Sequence, residues 1–519
     1  MAGKISFRVA GTRLDDGAVQ ARIGGRDLAL RSAWSVHGHR AAGQPAVVDV
    51  EPGRDAVVLK IAGGPTLVLH PEHARTLLGR PSTGPASRST PARGTVPGQD
   101  GAVSVTSQLP WCGAPTARRD GRAPVVGAVL EWFGVLAAPD QQVQQGPEDE
   151  QAAAITEAVD GQVVEGLYRL RADVLPERLP PSQRVTAWPE DCGTAPLLVF
   201  MHGTFVDTGS TFGKMWLRNA AQVEQLFEHY PERVFAFDHP TIGKSPIGNA
   251  IALVDSLPHN AVLHLVTHSR AGLIADVLLR AARFEPDATL DALFAGEPAA
   301  RQELGELRRR LRSKTITVQR VVRCACPARG TLLASRRLDA YLSVLQWLMG
   351  LAGVNVTTQF VDLLCAVARR RTSAAAMPGL QAMMPDSALV RWLNAPLDGV
   401  DSELYVLAGD ADGDGVLSWV KTLMADGFFW ADNDMVVQTR SMYGGVPRAA
   451  GPRAPKFRLF TGAQATHFSY FSRPDVMGPV LAALRGEAAD DWKPIGARSR
   501  AGLDSGGVRG GMAAAPRAE

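Results

Sequence analysis

The hexapeptide Thr267-His268-Ser269-Arg270-Ala271-Gly272 has the residue types of a turn that presents a nucleophilic serine. It directly follows the apolar run 261–266, and a small-residue stretch with a helical pattern comes after it. A strand, a sharp turn and a helix in this order lift a serine hydroxyl above the carboxyl end of a parallel sheet. The N-terminus of such a helix directs backbone N–H groups at developing negative charge. We therefore interpret Ser269 as the nucleophile of a serine hydrolase, with Thr267 and Ala271 where glycines usually flank such a serine.

A positioned imidazole must accept the proton of this serine, because a free hydroxyl is a weak nucleophile. Of the 11 histidines, only His467 lies beyond His268. It follows the strand-like run 457–460, which is where a base on a loop after a late strand is expected. His467 is therefore the predicted general base.

Three aspartates are candidates for the carboxylate that fixes the tautomer of this imidazole. Asp434 precedes a short strand-like run, Asp410 lies at the end of a predicted sheet strand, and Asp432 is a third candidate nearby. Sequence position suits both Asp434 and Asp410, so the choice stays open at this level.

Backbone N–H groups must also stabilise the oxyanion of a tetrahedral intermediate. The N–H of Arg270, directly after the nucleophile, is one predicted donor. The apolar strand 197–201 ends in His202-Gly203, where the missing side chain of glycine lets the backbone approach a substrate carbonyl. Thr204 or Phe205 is therefore the predicted second donor.

Several segments with different patterns must position these residues. Residues 1–80 contain short alternating stretches between glycine turns and predict a small all-β module. Residues 81–125 are rich in Pro, Gly, Ser and Thr and predict a flexible linker. Residues 126–490 alternate apolar runs with amphipathic stretches, which is typical of a parallel sheet flanked by helices. Within this domain, residues 335–395 have helical spacing and predict a cap, and residues 491–519 predict a disordered tail.

The composition excludes several classes of protein. With 55 basic and 52 acidic residues the formal net charge is only +3, so we expect no nucleic-acid partner. No apolar stretch is long enough to span a bilayer, and the first residues lack a secretory signal, so we expect a cytoplasmic protein. The apolar stretch 123–138 predicts a buried helix. Five cysteines, an odd number, argue against a disulfide framework.

No pattern of cofactor or metal ligands stands out in the sequence. Ile242-Gly243-Lys244-Ser245 ends like a phosphate-binding loop, but Asp238 replaces the earlier glycine, so we interpret this segment as a turn. We therefore predict that neither a metal nor an organic cofactor takes part.

Taken together, His202-Gly203-Thr204, Phe237-Asp238-His239-Pro240, the Ser269 turn and Asn433-Asp434-Met435-Val436-Val437 resemble the α/β-hydrolase superfamily, and in particular its bacterial lipase and esterase-like branch. The turn also resembles uncharacterised hydrolase-like domains associated with CHAT-type peptidases. The resemblance covers about residues 160–485 and implies an α/β-hydrolase fold. It also implies that Asp434 is the catalytic acid, although Met435 stands where the branch has glycine.

The function implied is hydrolysis of a carboxylic ester or related acyl bond in a small molecule by the triad Ser269, His467 and Asp434. Two alternatives remain open. One is an interaction module that keeps the fold without turnover, with the N-terminal β module binding a protein partner. The other is an acyltransferase or peptidase that uses the same triad.

Overall fold

The alternating stretches near the start of the chain form short strands in the computed structural model of the protein. Phe7 and its neighbours in the first strand show the expected pattern, because buried and half-buried residues alternate along it. The strands and the first helix are β1 (Ile5–Val9), β2 (Thr12–Leu14), β3 (Ala21–Ile23), β4 (Arg26–Leu28), β5 (Leu30–Ser35), β6 (Ala46–Val50), β7 (Ala56–Ile61), β8 (Thr66–Leu69), α1 (Pro71–Leu78), β9 (Val103–Val105) and β10 (Leu130–Leu136). They form a sheet of order β6-β1-β9, a sheet of order β2-β5-β10-β7-β8, and the hairpin β3-β4.

The structure describes most of the chain, in separate stretches. The described residues are 3–14, 21–23, 26–28, 30–36, 45–79, 101–109, 128–136, 154, 156–189, 194–331, 338–370, 377–411, 420, 433–451, 453–487 and 492–495.

Two strands lie outside the segment that the sequence analysis assigned to the β module. β9 belongs to the predicted linker and pairs in parallel with β1. β10 belongs to the predicted 126–490 domain and to the stretch predicted as a helix, yet it pairs with β5 and β7. A short apolar run fits a buried strand as well as a helix, so periodicity alone did not separate the two.

The apolar runs in the middle of the chain form one eight-stranded sheet. In chain order its strands are β11 (Gly166–Arg169), β12 (Leu197–Met201), β13 (Val234–Asp238), β14 (Val262–His268), β15 (Thr317–Cys324), β16 (Glu403–Asp410), β17 (Lys456–Thr461) and β18 (Lys493–Pro494). Across the sheet the order is β11-β13-β12-β14-β15-β16-β17-β18. The strands from β13 to β17 in this order are parallel, whereas β11 and β18 pair antiparallel at the edges.

Helices provide the crossovers that parallel strands require. They are α2 (Thr208–Arg218), α3 (Ala220–His229), α4 (Pro246–Ser256), α5 (Ala271–Ala281), α6 (Asp287–Leu293), α7 (Pro298–Lys314), α8 (Leu338–Leu351), α9 (Thr358–Arg370), α10 (Pro378–Gln381), α11 (Ala388–Asn394), α12 (Thr439–Met442) and α13 (Pro474–Arg485). Two short 3-10 turns lie at Pro181–Gln183 and Tyr470–Ser472. None of the helices in the described ranges combines the length and apolar character needed to cross a bilayer.

A buried ionic cluster fixes α5, the helix that follows the serine turn. The carboxylate of Asp276 on α5 binds Arg323 of β15 at 2.6 Å and Arg448 at 2.8 Å, and all three side chains are fully buried. Arg323 also donates to the carbonyl oxygens of Met442 at 2.9 Å and Gly444 at 2.7 Å. The cluster therefore joins the helix, the sheet and the segment after α12.

The helices α8 to α11 lie between β15 and β16, inside the range predicted as a cap. This helical insertion contacts the N-terminal strands. The N–H of Val68 donates to Ser343 Oγ at 2.9 Å, and the N–H of His70 donates to Asp339 Oδ2 at 2.7 Å.

Residues 492–495, which the sequence analysis placed in the disordered tail, instead form the edge of the sheet. Trp492 is buried against Tyr405, with ring centroids 5.2 Å apart, and Ile495 is also buried. These two apolar side chains supply the burial that orders the segment. The remainder of the predicted tail lies outside the described residues.

Candidate active site

Ser269 lies between the end of β14 and the start of α5, at the carboxyl edge of the parallel sheet. Its φ of 54° is in the left-handed region, which costs a non-glycine residue about 1–2 kcal/mol. The turn is held in this conformation because the N–H of Ser269 donates to the carbonyl oxygen of Cys324 at 2.8 Å. A left-handed serine at a strand-to-helix turn is the backbone geometry of a nucleophile elbow.

Two glycines provide the close packing around this turn. A Cβ on Gly203 would lie 2.8 Å from Ser269 Cβ and 3.0 Å from His268 Nδ1. A Cβ on Gly272 would lie 2.5 Å from Cys326 Sγ. Small residues were expected at the positions of Thr267 and Ala271, and the structure adds close approaches at Gly203 and Gly272.

His467 and Asp434 form a buried pair. Nδ1 of His467 lies 2.8 Å from Asp434 Oδ2, and the N–H of His467 donates to the backbone oxygen of Asp434 at 2.9 Å. A carboxylate only accepts hydrogen bonds, so Nδ1 of His467 donates to Asp434. Within the described part of the chain, neither His467 Nε2 nor Ser269 Oγ makes a hydrogen bond.

The carboxylate of Asp434 is fixed from both sides. Oδ1 accepts the N–H groups of Val436 at 3.1 Å and Val437 at 2.8 Å. Oδ2 accepts the Tyr470 hydroxyl at 3.3 Å in addition to His467. Burial raises the pKa of Tyr470 well above its ordinary value, and the charge of Asp434 acts in the same direction, so this hydroxyl stays protonated and donates. Tyr470 was not singled out by the sequence, because no residue spacing connects it to the acid.

Met435 adopts the backbone conformation that glycine would favour at this position. Its φ is 78° and its side chain is buried. The segment 433–437, here called the acid loop, therefore has a left-handed residue after Asp434. This residue is methionine, whereas the bacterial lipase-like branch that the sequence resembles has glycine there. Packing of the methionine side chain offsets the backbone cost.

The two other candidate acids have different positions. Asp410 ends β16, and its Oδ1 accepts the N–H of Asn433 at 3.1 Å, so it supports the start of the acid loop. Asp432 lies outside the described residues.

His268, directly before Ser269, holds the backbone of the candidate base. Its Nε2 lies 2.8 Å from the carbonyl oxygen of His467 and must donate, because a carbonyl only accepts. Burial lowers the pKa of His268 to about 3, so the ring is neutral. The sequence analysis assigned no role to this residue.

The two predicted oxyanion donors flank the serine turn. Neither the N–H of Thr204 nor that of Arg270 donates to a residue in the described part of the chain. The N–H of Phe205, the other candidate, donates to Thr241 Oγ1 at 3.2 Å. Thr204 and Arg270 are therefore the donors left unengaged beside Ser269.

A buried pair of imidazoles supports the loop that carries Thr204. His202 Nδ1 donates to the carbonyl oxygen of Gly203 at 3.0 Å, and His202 Nε2 accepts the N–H of His239 at 3.1 Å. The two rings stack with centroids 4.2 Å apart. Burial lowers the pKa of His239 well below its ordinary value.

The helical insertion closes over these residues. Phe360 of α9 packs on Phe205 with ring centroids 4.9 Å apart, Met383 Sδ contacts Thr204 Oγ1 at 3.7 Å, and the carbonyl oxygen of Gly379 accepts Arg270 Nε at 3.3 Å. Ser269 is only 5 % exposed.

A metal site is not apparent near the serine. Within the described ranges, no group of three or more His, Cys, Asp or Glu side chains has the arrangement needed to hold a metal ion. Cys324, Cys326 and Cys365 are buried free thiols, and burial raises the pKa of each.

Comparison with solved structures finds similarity to lipases, among other proteins. The mature lipase BlEst2 of Bacillus licheniformis is 18% identical, with 56% of this chain and 91% of that chain covered and a TM-score of 0.29. EstA from Clostridium botulinum is 12% identical, with coverages of 67% and 99% and a TM-score of 0.36. Lipase 1 from Pelosinus fermentans is 13% identical, with coverages of 57% and 98% and a TM-score of 0.34. At these identities the similarity concerns the fold alone.

A comparison with curated proteins gives no match. A family model described as "Domain of unknown function (DUF7379)" matches residues 165–299 and 296–485. The match covers more than half of the 519 residues and includes both Ser269 and His467. The chain therefore belongs to the DUF7379 family.

Proposed function

We propose that this protein is a serine hydrolase that cleaves a carboxylic ester or a related acyl bond through an acyl-enzyme on Ser269. The observation that carries the proposal is the buried pair of His467 and Asp434, held through His268 beside a left-handed serine at a sheet edge. We further propose an α/β-hydrolase arrangement for the eight-stranded sheet and the helices that flank it, with residues 335–395 as its cap. The β module before it includes β10, which the sequence had assigned to the hydrolase domain.

The first half of the reaction forms the acyl-enzyme. Ser269 Oγ attacks the acyl carbon while its proton passes to His467 Nε2. Asp434 stabilises the imidazolium that results. The N–H groups of Thr204 and Arg270 donate to the oxyanion, and each such donor contributes about 10²- to 10³-fold to turnover. The bond to the leaving alkoxide then breaks, and His467 returns the proton to it.

The second half releases the acid. A water molecule attacks the acyl carbon and passes a proton to His467 Nε2. The bond to Ser269 Oγ breaks, and His467 returns that proton to the serine. These steps balance with the residues named and one water molecule.

Hydrolysis of p-nitrophenyl acetate and p-nitrophenyl butyrate by the full chain tests the proposal. We expect turnover by the wild type and none above background by Ser269→Ala. Ser256→Ala on α4 is the matched control, because its hydroxyl only bonds the Ala252 carbonyl oxygen of its own helix at 2.9 Å. Equal rates for wild type and Ser269→Ala would refute the assignment of the nucleophile.

An interaction module without turnover is the second candidate function. One observation favours it, namely that Ser269 Oγ makes no hydrogen bond with a described residue and lies under the insertion. Catalytic hydrogen bonds are often long in an enzyme without substrate, so this geometry is compatible with both functions. A wild type that neither turns over esters nor reacts with a fluorophosphonate would favour the interaction module.

A further inference from the structure

A short loop beside the serine turn binds a carboxylate of the same chain. We name residues 241–244 the brace loop. The N–H groups of Thr241 and Ile242 donate to Asp160 Oδ1 at 2.9 and 3.1 Å, and the N–H of Gly243 donates to Asp160 Oδ2 at 2.6 Å. Successive N–H groups that converge in this way form a concave site for an anion. The similarity of this segment to a phosphate-binding loop therefore has a structural basis, with Asp160 as the bound anion.

The helical turn 156–160 approaches the brace loop closely at Gly243. A Cβ on Gly243 would lie 2.8 Å from Thr156 Cγ2 and 3.1 Å from Asp160 Oδ2. A side chain at this position would require Thr156 to shift, so the loop and the helical turn pack closely at this point.

The brace loop reaches the first proposed oxyanion donor through Thr241. Thr241 Oγ1 accepts the N–H of Phe205 at 3.2 Å, and Phe205 has a left-handed φ of 64°. This hydrogen bond fixes the peptide plane between Thr204 and Phe205. The N–H of Thr204 lies in the preceding peptide plane, so Thr241 positions it through the Cα of Thr204. Because the N–H of Phe205 is engaged, that of Thr204 is the donor proposed to face a substrate.

The brace loop reaches the second proposed donor through Lys244. The buried guanidinium of Arg270 donates from Nη2 to the carbonyl oxygen of Lys244, and also to Asn249 Oδ1 at 2.9 Å. Burial lowers the pKa of Arg270 to about 10, and the negative charge of Asp160 acts against that decrease. The side chain of Arg270 thus anchors the residue whose backbone N–H follows the nucleophile.

We propose that Asp160 and Thr241 are positioning residues of the oxyanion site. Asp160 orders the brace loop, and the loop holds the backbone on both sides of Ser269 through Thr241 and Lys244. This inference rests on the proposed hydrolase function. Neither residue touches the substrate, so their effect is expected on the chemical step and not on binding.

The pair Thr241→Val and Thr241→Ser separates this role from a purely structural one. Valine keeps the shape and removes the acceptor of the Phe205 N–H, whereas serine keeps the hydroxyl. With p-nitrophenyl butyrate we expect Thr241→Val to lower kcat about 10- to 100-fold, less than the loss of a whole donor, with KM within twofold. Thr241→Ser should recover at least a third of the wild-type kcat. Asp160→Asn should lower kcat in the same direction with KM again unchanged.

Urea unfolding of each variant supplies the readout of structure. A kcat for Thr241→Val within threefold of the wild type, with Ser269→Ala inactive, would overturn this inference and leave the proposed function intact. A fall in kcat that follows a loss of stability and is not rescued by Thr241→Ser would also overturn it. An inactive wild type would overturn both. If Thr241→Val does not fold, the kcat and KM of Asp160→Asn decide by the same criteria.

Discussion

Replacing Asp434 with asparagine should stop turnover while leaving the fold intact, because the surrounding donors dictate how the new amide must point. The N–H groups of Val436 and Val437 both donate to Oδ1. The asparagine therefore places its oxygen there and its NH₂ group toward His467. An NH₂ group cannot accept the Nδ1 proton, so His467 must change tautomer and carry its proton on Nε2.

The magnitude follows from this change of tautomer. An imidazole that is protonated on Nε2 cannot accept the Ser269 proton, and the imidazolium also loses its counter-charge. Loss of the correct tautomer in a triad lowers kcat about 10⁴-fold. The two hydrogen bonds from Val436 and Val437 remain, and the Tyr470 hydroxyl can rotate to accept from the new NH₂ group, so the urea midpoint should change little.

The assay is ester hydrolysis together with the rate of fluorophosphonate labelling. Asp410→Asn is the matched control, because Asp410 was the competing candidate acid and makes the same exchange of oxygen for NH₂ near the same loop. We expect Asp410→Asn to keep most of the labelling rate. Labelling of Asp434→Asn within threefold of the wild type would refute the reasoning, and loss of labelling in Asp410→Asn alone would make Asp410 the acid.

Three further predictions concern the surroundings of the site. Gly203→Ala should slow fluorophosphonate labelling at least about tenfold, because the new methyl group would lie 2.8 Å from the Cβ of Ser269. Gly213→Ala is the control and should not slow labelling, because no atom lies within 4 Å of its methyl group. Equal labelling rates for the two variants would contradict this prediction. Asp276→Ala leaves two buried guanidinium groups without a counter-charge and should lower the free energy of unfolding in urea by about 3–5 kcal/mol. Asp401→Ala removes the acid of an exposed ion pair and should lower it by only about 0–1 kcal/mol. Similar losses for the two variants would refute the role of burial. Burial lowers the pKa of His268 to about 3, so below about pH 6.5 the unfolded chain binds a proton that the folded chain does not. The contribution of His268 to the free energy of unfolding should fall by about 1.4 kcal/mol per pH unit as the pH drops from about 6.5 toward 3. His268→Gln should reduce the measured slope by about that amount, while the slope that arises from His239 and His264 remains; an unchanged slope would contradict the prediction.

The parallel strands of the large sheet were predictable because both of their faces are buried. Such strands read as continuous apolar runs, and the predicted run 197–201 matches β12 while the predicted run 261–266 lies largely in β14. The same property misled the prediction at Leu130–Leu136, because a short apolar run does not distinguish a strand from a helix. Residues 492–495 were assigned to the disordered tail because the composition of the whole segment 491–519 is poor in large apolar residues. Trp492 is an exception, and it packs on the sheet.

The candidate residues were predictable where chain order carries the information. His467 was the one histidine available after Ser269, and the structure brings its imidazole to Asp434, although the chemical roles stay predictions. The supporting residues were not predictable, because their contacts depend on three-dimensional packing. Asp160 and Thr241 are 81 positions apart, and no periodicity connects them.

Mapping the covalent adduct of a fluorophosphonate by peptide mass spectrometry tests the central claim most directly. We predict one stoichiometric adduct on the peptide that contains Ser269, located at that residue by fragmentation. An adduct on a different serine, or no adduct on folded protein, would contradict the account.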